Sequence, residues 1–478
     1  MAQRVLHARQ LAPAALVDGI AKIQQELNVS PHFPEDVEKA AAAAAGNQPV
    51  QAVDLTEIPF VTIDPPTAMD LDQAMHLSRE DDGYLVRYAI ADLATFIDPG
   101  GPIDVEAHRR GETLYGADAK VPLHPTALSE GAASLLPDET RPALVWSIAL
   151  DASGNQRCAK LERALVRSRA KLDYESIQRS LDDGTADELT RMLKEIGELR
   201  VALERERGGV NLPMPEQEIT ADGEQWSLEF RSVMPVENWN AQISLLTGFA
   251  AAQMMIEAKV GILRTMPPPE PRAVDRLRRT ARGLKIDWPA DVDYPEFIGN
   301  LDSSIPAHAA MLVASTSLLR GAGYAAFDGE LPKVTTQAAL ASAYAHVTAP
   351  LRRLADRYAL EVCVALSAGQ PVPEWVRRAL PELPDTMRES GRRAGAYENA
   401  VVDLVEAHLL ASRVGERFSA TVTEVEHDDS NLGVVVIQEP AIEARVQSDA
   451  ALPLGEQIEV ELVQADPGTR QVRFRQVS

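Results

Sequence analysis

This sequence predicts an α+β body that carries a small all-helical segment at its start and a small all-β barrel at its end. Three observations predict it. Between residues 51 and 165, short alternating and β-branched runs are separated by turn signals. Helical periodicity then takes over in long stretches at 174–207 and 237–260. Within residues 418–474, five short strand candidates follow one another, as in a barrel of the OB type.

Taken in order, residues 1–50 read helical. Leu11, Ala15, Ile20, Ile23 and Leu27 recur at near-helical spacing, and Pro31 and Pro34 break the chain. Glu35 and Asp36 favour a new start, and Gly46 can close it. Two or three short helices here fit a helix-turn-helix-like module or a helical arm packed on the body. The body spans residues 51–410. A strand is expected at 84–90, a turn at 99–102, a helix at 104–110 closed by Gly111, and a strand at 143–150. Gly208, Gly209 and Pro213 end the helical stretch before a strand at 226–233. The segment 265–285 is locally basic, with Arg272, Arg276, Arg278, Arg279, Arg282 and Lys285. It fits either a phosphate-tracking groove or a solvated helix face. The barrel, residues 411–478, has strands expected at 418–425, 433–436, 442–446, 458–463 and 472–474. It is acidic, with only Phe418 and Phe474 as aromatics, so weak nucleic-acid affinity is expected of it.

The 478 residues suggest about two to four domains. No apolar run is long enough to span a membrane, and no signal peptide is visible. Cys158 and Cys363 lie far apart without metal-ligand spacing, so a reduced, cytoplasmic protein is expected. A net charge of -24 excludes a chain coated in positive charge. A basic cleft on an acidic body stays open.

Two stretches carry chemistry. Residues 60–76 place Asp64, Asp70 and Asp72 within nine residues, around the turn forced by Pro65 and Pro66. Asp70 and Asp72, two apart, point the same way in an extended chain. Such a cluster must protonate or hold a cation, and an oxygen-only ligand set suits Mg²⁺ or Mn²⁺. The alternative is a solvated acidic turn. Residues 344–358 carry Thr348, Pro350, Arg352 and Arg353. With Thr348 as cap and Pro350 in the first turn, the arginines fall at a helix N-terminus, a place suited to phosphate. The alternative is an arginine pair bridging to acidic neighbours.

In this order, the two stretches resemble the ribonuclease II family, which shares the RNB catalytic domain. Thr62-Ile63-Asp64 and Asp70-Leu71-Asp72-Gln73 match its opening motif. The next block matches at Ile90-Ala91-Asp92, at Asp104-Val105-Glu106-Ala107 with Arg110-Gly111, and at Tyr115. It continues through Val121-Pro122, Pro125, Leu128-Ser129 and Ser134-Leu135. Thr348-Ala349-Pro350-Leu351-Arg352-Arg353, followed by Asp356, resembles its arginine motif. The resemblance implies a mixed sheet surrounded by helices, followed by an OB barrel of ribosomal-protein type. It implies processive 3′-to-5′ hydrolysis of single-stranded RNA to nucleoside 5′-monophosphates with Mg²⁺, for which Mn²⁺ can substitute, by a monomer. Asp64, Asp70, Asp72 and Gln73 are then expected to hold one or two ions, about 4 Å apart when both bind. Arg352 is expected to clamp the scissile phosphate and Tyr115 to stack near the last base. Arg110, Arg353, Thr348 and His346 are the further RNA contacts expected.

Three departures qualify the resemblance. Gln73 stands where the family has a fourth Asp, which predicts a higher Mg²⁺ or Mn²⁺ requirement. Two acidic residues usual early in the helix written Ala241-Gln242-Ile243 are missing. The first fifty residues are too few for two N-terminal cold-shock barrels. Two rival classes follow: an RNA-binding or scaffold protein that kept the fold and lost catalysis, and a phosphodiesterase acting on DNA or small nucleotides.

Overall fold

The computed structural model describes residues 3–5, 14–47, 52–117, 120–222 and 225–477. Its centre is a six-stranded mixed sheet built from β1 (Val53–Asp54), β2 (Phe60–Ile63), β3 (Gln73–Glu80), β4 (Gly83–Ala91), β5 (Thr140–Leu150) and β6 (Gln156–Leu172), in the order β1-β6-β2-β3-β4-β5. β3, β4 and β5 are antiparallel neighbours, with Gln73 opposite Ile90 and Tyr88 opposite Trp146. β6 is long enough to serve two edges. It pairs antiparallel with β5 from Gln156 to Arg167, and parallel with β2 from Ser168 to Leu172. The sheet therefore curls back on itself, and its edge at β2 is covered rather than left open.

Alternation explains the strands. In β4 and β5 the apolar residues Tyr88, Ile90, Trp146 and Ile148 are at most 2% exposed. They form the main core with the long helix Pro235–Ala258 and the helix Leu354–Ser367. Filling such a site is worth about 3–5 kcal/mol for a buried Trp against Ala.

The C-terminal segment is a closed five-stranded barrel, Arg417–Val425, Leu432–Ile437, Ile442–Gln447, Gln457–Asp466 and Gln471–Gln476. All five expected strands are present, each extended by one to four residues. Phe418 and Phe474 meet edge-to-face inside it, 6% and 1% exposed, so neither offers a face to a base.

Several expectations need correction. Residues 3–5 are a strand, parallel to Glu216–Asp222, and not helical. The two N-terminal helices are present, α1 (Ala14–Glu26) and α2 (Glu35–Ala44), but they take different partners. Leu16, Ile20 and Ile23 of α1 pack with Tyr397, Leu404 and the barrel core, whereas Val37 and Ala41 of α2 pack with Phe96 and Ile103. The helical arm packed on the body is the arrangement found. The stretch 174–207 is two helices, Tyr174–Asp182 and Glu188–Glu206, separated at Gly184 (φ 69°) and restarted by the Asp187 cap. The helix ending near 260 stops at Ala258, and Val260–Thr265 pairs antiparallel with the distant strand Gly323–Asp328. The helix after Thr348 begins only at Leu354. Asp356 explains the delay. Its carboxylate accepts the Ala349 N–H (2.7 Å) and holds the Arg353 guanidinium, which fixes the residues between as a turn.

Candidate active site

The aspartates sit where β2 ends and β3 begins. The Asp64 N–H donates to the Leu172 carbonyl of β6 (3.0 Å), which pins the residue at the sheet end. Asp72 is 3% exposed. Ser134 holds the segment between them: its hydroxyl accepts the Leu71 N–H (3.0 Å) and donates to the Met69 carbonyl (2.6 Å).

The arginine stretch arrives from far along the chain. The Leu351 N–H donates to Asp72 Oδ1 (2.8 Å), and Arg352 Nε lies 3.5 Å from Asp72 Oδ2. Two further links lock the same loop. The Gln73 amide donates to the Thr348 carbonyl, and the Thr348 hydroxyl meets that of Ser244 at 2.9 Å. Arg352 keeps 45% of its side chain exposed, so the guanidinium lies on the open side of the aspartates.

Electrostatics at this point are unbalanced. Burial pushes the Asp64 carboxyl up to about 7, against the pull of Arg352 and Lys171 and with Asp70 adding repulsion. Burial also raises Asp72 well above the carboxylate range, opposed by Arg352 and by the Leu351 N–H. Asp64 Oδ2 is shut off from solvent and has no hydrogen-bond partner. A buried carboxylate oxygen without a donor is costly, and a cation beside it removes the cost. Asp64 and Asp72 therefore fit a hard divalent ion in charge and in donor type. Asp70 is turned elsewhere: its Oδ1 lies 2.7 Å from Lys120 Nζ. Among the described residues, no three His, Cys, Asp or Glu side chains form a ready metal-ligand group.

Tyr115 stands in a two-residue hairpin, Leu114–Tyr115 against Lys120–Val121, in which it faces Lys120. The chain before it is tied to the arginine loop, because the Thr113 N–H donates to the Arg352 carbonyl (3.0 Å). Burial raises the Tyr115 phenol, with Arg352 opposing and Asp70 and Asp72 adding to the shift, so the ring shares the aspartates' surroundings.

The RNB domain model matches residues 52–366, and the model of the RNase II-type exonuclease C-terminal S1 domain matches residues 416–477. The chain belongs to the RNB-domain family. This RNB chain is 25% identical over 421 residues to Ribonuclease R of Escherichia coli, covering 82% of itself and 51% of that protein. It is likewise 25% identical over 428 residues to Ribonuclease R of Aquifex aeolicus, covering 84% of itself and 59% of the relative. It thus spans little more than half the length of these curated relatives. Among solved structures, Mycoplasma genitalium RNase R in complex with ribose-methylated single-stranded RNA superposes with a TM-score of 0.86, at 19% identity, over 97% of this chain and 78% of that one. Yeast Ssd1, a pseudonuclease, superposes at 0.71 with 15% identity, over 95% and 57%.

Not every expected RNA contact of the RNB chain is free to make one. Arg110 is 6% exposed, and all three of its guanidinium nitrogens are engaged, by Glu106 and by the carbonyls of Pro122 and His32, with Phe33 stacked 3.7 Å away. It is a structural arginine. Arg353 makes a bidentate pair with Asp356 (3.0 Å for each contact), the bridging alternative for that residue. Thr348 is 3% exposed. His346 is half-buried, bonded through Nδ1 to the Tyr324 hydroxyl (2.6 Å) and packed edge-on to Tyr324 and Tyr344. Gln73, expected as a metal ligand, donates one N–H of its amide to the Thr348 carbonyl, a bond that leaves its oxygen, the ligating atom, unengaged. In the helix Pro235–Ala258, Gln242 bonds Glu204, and Glu237 caps the helix through the Met234 N–H (2.6 Å) and holds Arg231. Lys120, Glu130, Ser134 and Lys171 were missed. Ser134 lay inside a matched block, which was the available signal. The lysines carry none, because their partners are set by tertiary structure.

Proposed function

We propose that this protein is a divalent-metal-dependent 3′-to-5′ exoribonuclease that hydrolyses single-stranded RNA to nucleoside 5′-monophosphates. One observation carries the reading: the Arg352 guanidinium lies 3.5 Å from Asp72, beside the partnerless buried oxygen of Asp64. A fixed, part-exposed cation beside one buried carboxylate oxygen that lacks a partner suits a phosphodiester and its metal. The names and folds of the relatives support the same class.

Asp64 and Asp72 are the residues that would hold Mg²⁺, whose chemistry when bound is to polarise the phosphate and lower the pKa of water. Arg352 orients the scissile phosphate from the open side and offsets charge as it builds on the phosphoryl oxygens. The Leu351 N–H keeps the Asp72 carboxylate facing Arg352. Tyr115 supplies an aromatic face for the last base. The ribose 2′-hydroxyl is the group by which such a site tells RNA from DNA.

A second reading keeps the fold and drops the chemistry. It is favoured by Gln73, whose amide is turned to Thr348, and by Asp70, whose carboxylate is paired with Lys120. End-labelled poly(A), incubated with and without Mg²⁺ and EDTA, separates the two. A stepwise ladder ending in mononucleotides, abolished by EDTA, is expected. RNA that is bound but uncut over a range of Mg²⁺ and Mn²⁺ concentrations would overturn the exoribonuclease.

A further inference from the structure

We propose that Lys120 is a built-in cation of the acidic site, which withdraws Asp70 from the ligand set and leaves Asp64 and Asp72 to hold a single divalent ion. The proposal rests on the metal-dependent reading above.

The hairpin Leu114–Tyr115/Lys120–Val121 sets Lys120 directly opposite Tyr115, so the two side chains share one face. The lysine ammonium lies 2.7 Å from Asp70 Oδ1 and 2.8 Å from Glu130 Oε1. Glu130 belongs to the short helical turn Leu128–Ala132, whose chain continues to Ser134, the residue that clamps Met69 and Leu71. The ammonium is therefore gripped from two sides by parts of one rigid frame. The three side chains are only 15–29% exposed, so water screens them less than a surface pair. Two of the three ammonium hydrogens suffice for these contacts.

This arrangement competes with a second metal ion. Mg²⁺ binds oxygen at about 2.0–2.1 Å in near-ideal octahedral geometry. An ion bridging through Asp70 must first displace an ammonium that Glu130 holds in place. Each aspartate then has its own positive neighbour in the protein. Arg352 serves Asp72, Lys120 serves Asp70, and Lys171, anchored on the carbonyls of Pro66 and Ala68, acts on Asp64 together with Arg352. Gln73 adds no charge. The demand that a cluster of aspartates makes for added cations falls accordingly, and the oxygen still without a partner is on Asp64.

Mn²⁺ titration of the metal-free 478-residue chain, followed by electron paramagnetic resonance and calorimetry, tests this without reading activity. The wild-type chain is expected to bind one ion. Lys120→Met is expected to bind two, or one at least tenfold more tightly, and Lys120→Arg to behave as wild type. Glu130→Gln, which keeps the lysine but loosens its anchor, is expected to gain a second, weaker site, and it covers the case in which Lys120→Met fails to fold by circular dichroism. Two ions in the wild type, or unchanged stoichiometry and affinity in both Lys120→Met and Glu130→Gln, would overturn the role of Lys120 and leave the metal-dependent reading standing. No Mn²⁺ bound by any variant would remove that reading, and the proposal with it.

Discussion

Changing Asp72 to Asn exchanges a charge for a dipole at nearly constant volume. The amide oxygen can still accept the Leu351 N–H, so the loop stays docked. What is lost is the negative charge facing Arg352. Asp72→Asn is expected to cut mononucleotide release by about 10²–10³-fold, the scale of one fixed electrostatic partner, while filter-binding affinity for poly(A) changes little. Near-normal turnover would remove Asp72 from the site. Gln73→Asp is a richer substitution than sequence suggested. Restoring the acid adds charge for a metal, but a shorter carboxylate cannot donate to the Thr348 carbonyl. The variant is expected to need less Mg²⁺ for half-maximal activity and to lose about 1–3 kcal/mol of stability through the unpaired carbonyl. An activity-versus-Mg²⁺ curve identical to that of the wild type would show that Gln73 does not set the metal requirement. At this scale the carboxylates and Arg352 were legible because charged residues in tight motifs declare themselves. Lys120 was not, since an isolated lysine has meaning only through the partners it meets.

At the scale of elements, the site depends on joints between strands, loops and helices. Ser134→Ala removes the hydroxyl that joins the Met69–Leu71 segment to the turn behind it. The expected cost is about 1–3 kcal/mol in denaturant unfolding, with a fall in kcat larger than any change in KM, because the aspartates lose their register. An unchanged kcat in a destabilised variant would make Ser134 purely structural. The joint between the helices Pro102–Arg110 and Leu354–Ser367 is ionic: Arg357 Nη1 lies 2.5 Å from Asp104 Oδ1, and the Gly100 N–H donates to Oδ2 at 2.7 Å. Burial opposes ionisation of Asp104, but the Arg357 guanidinium and the Gly100 N–H outweigh it and hold the carboxyl below its usual value. A depressed carboxyl pKa stabilises the fold above the unfolded value of about 3.9 and loses that contribution as pH falls through the folded value. Asp104→Asn should therefore lower stability at pH 7 by about 3–5 kcal/mol, since a buried guanidinium loses its partner. It should also flatten the stability–pH curve below about pH 4. A curve parallel to that of the wild type would contradict the linkage. Barrel strands and the long helices were readable from periodicity. The start of the helix at Leu354 was not, because Asp356 reaches back to Ala349 and overrides the local signals of Thr348 and Pro350.

Taken as a whole, the molecule joins its helix α1 to its C-terminal barrel. Leu16, Ile20 and Ile23 of α1 lie in one cluster with Tyr397 and Leu404 of the helix Leu383–Leu410 and with the barrel core. Ile20→Ala is expected to cost about 2–4 kcal/mol and to lower the melting temperature of the whole chain in a single transition. A separate, earlier transition confined to the N-terminus would instead mark a detachable module. The order of domains was legible in composition and motif order. The sharing of one core between the first helix and the last domain was not, because periodicity gives a helix its apolar face and says nothing of what covers that face.

The contact between Asp72 and Leu351 spans 279 residues of sequence. On a ribosome, the aspartates leave the exit tunnel long before the arginine is made. Until the second stretch arrives and docks, the emerging polypeptide holds the aspartates without the guanidinium that faces Asp72. Under the proposed exoribonuclease reading, cleavage waits until residues 344–358 have been made and docked, and a product terminated or clipped before them carries no complete site.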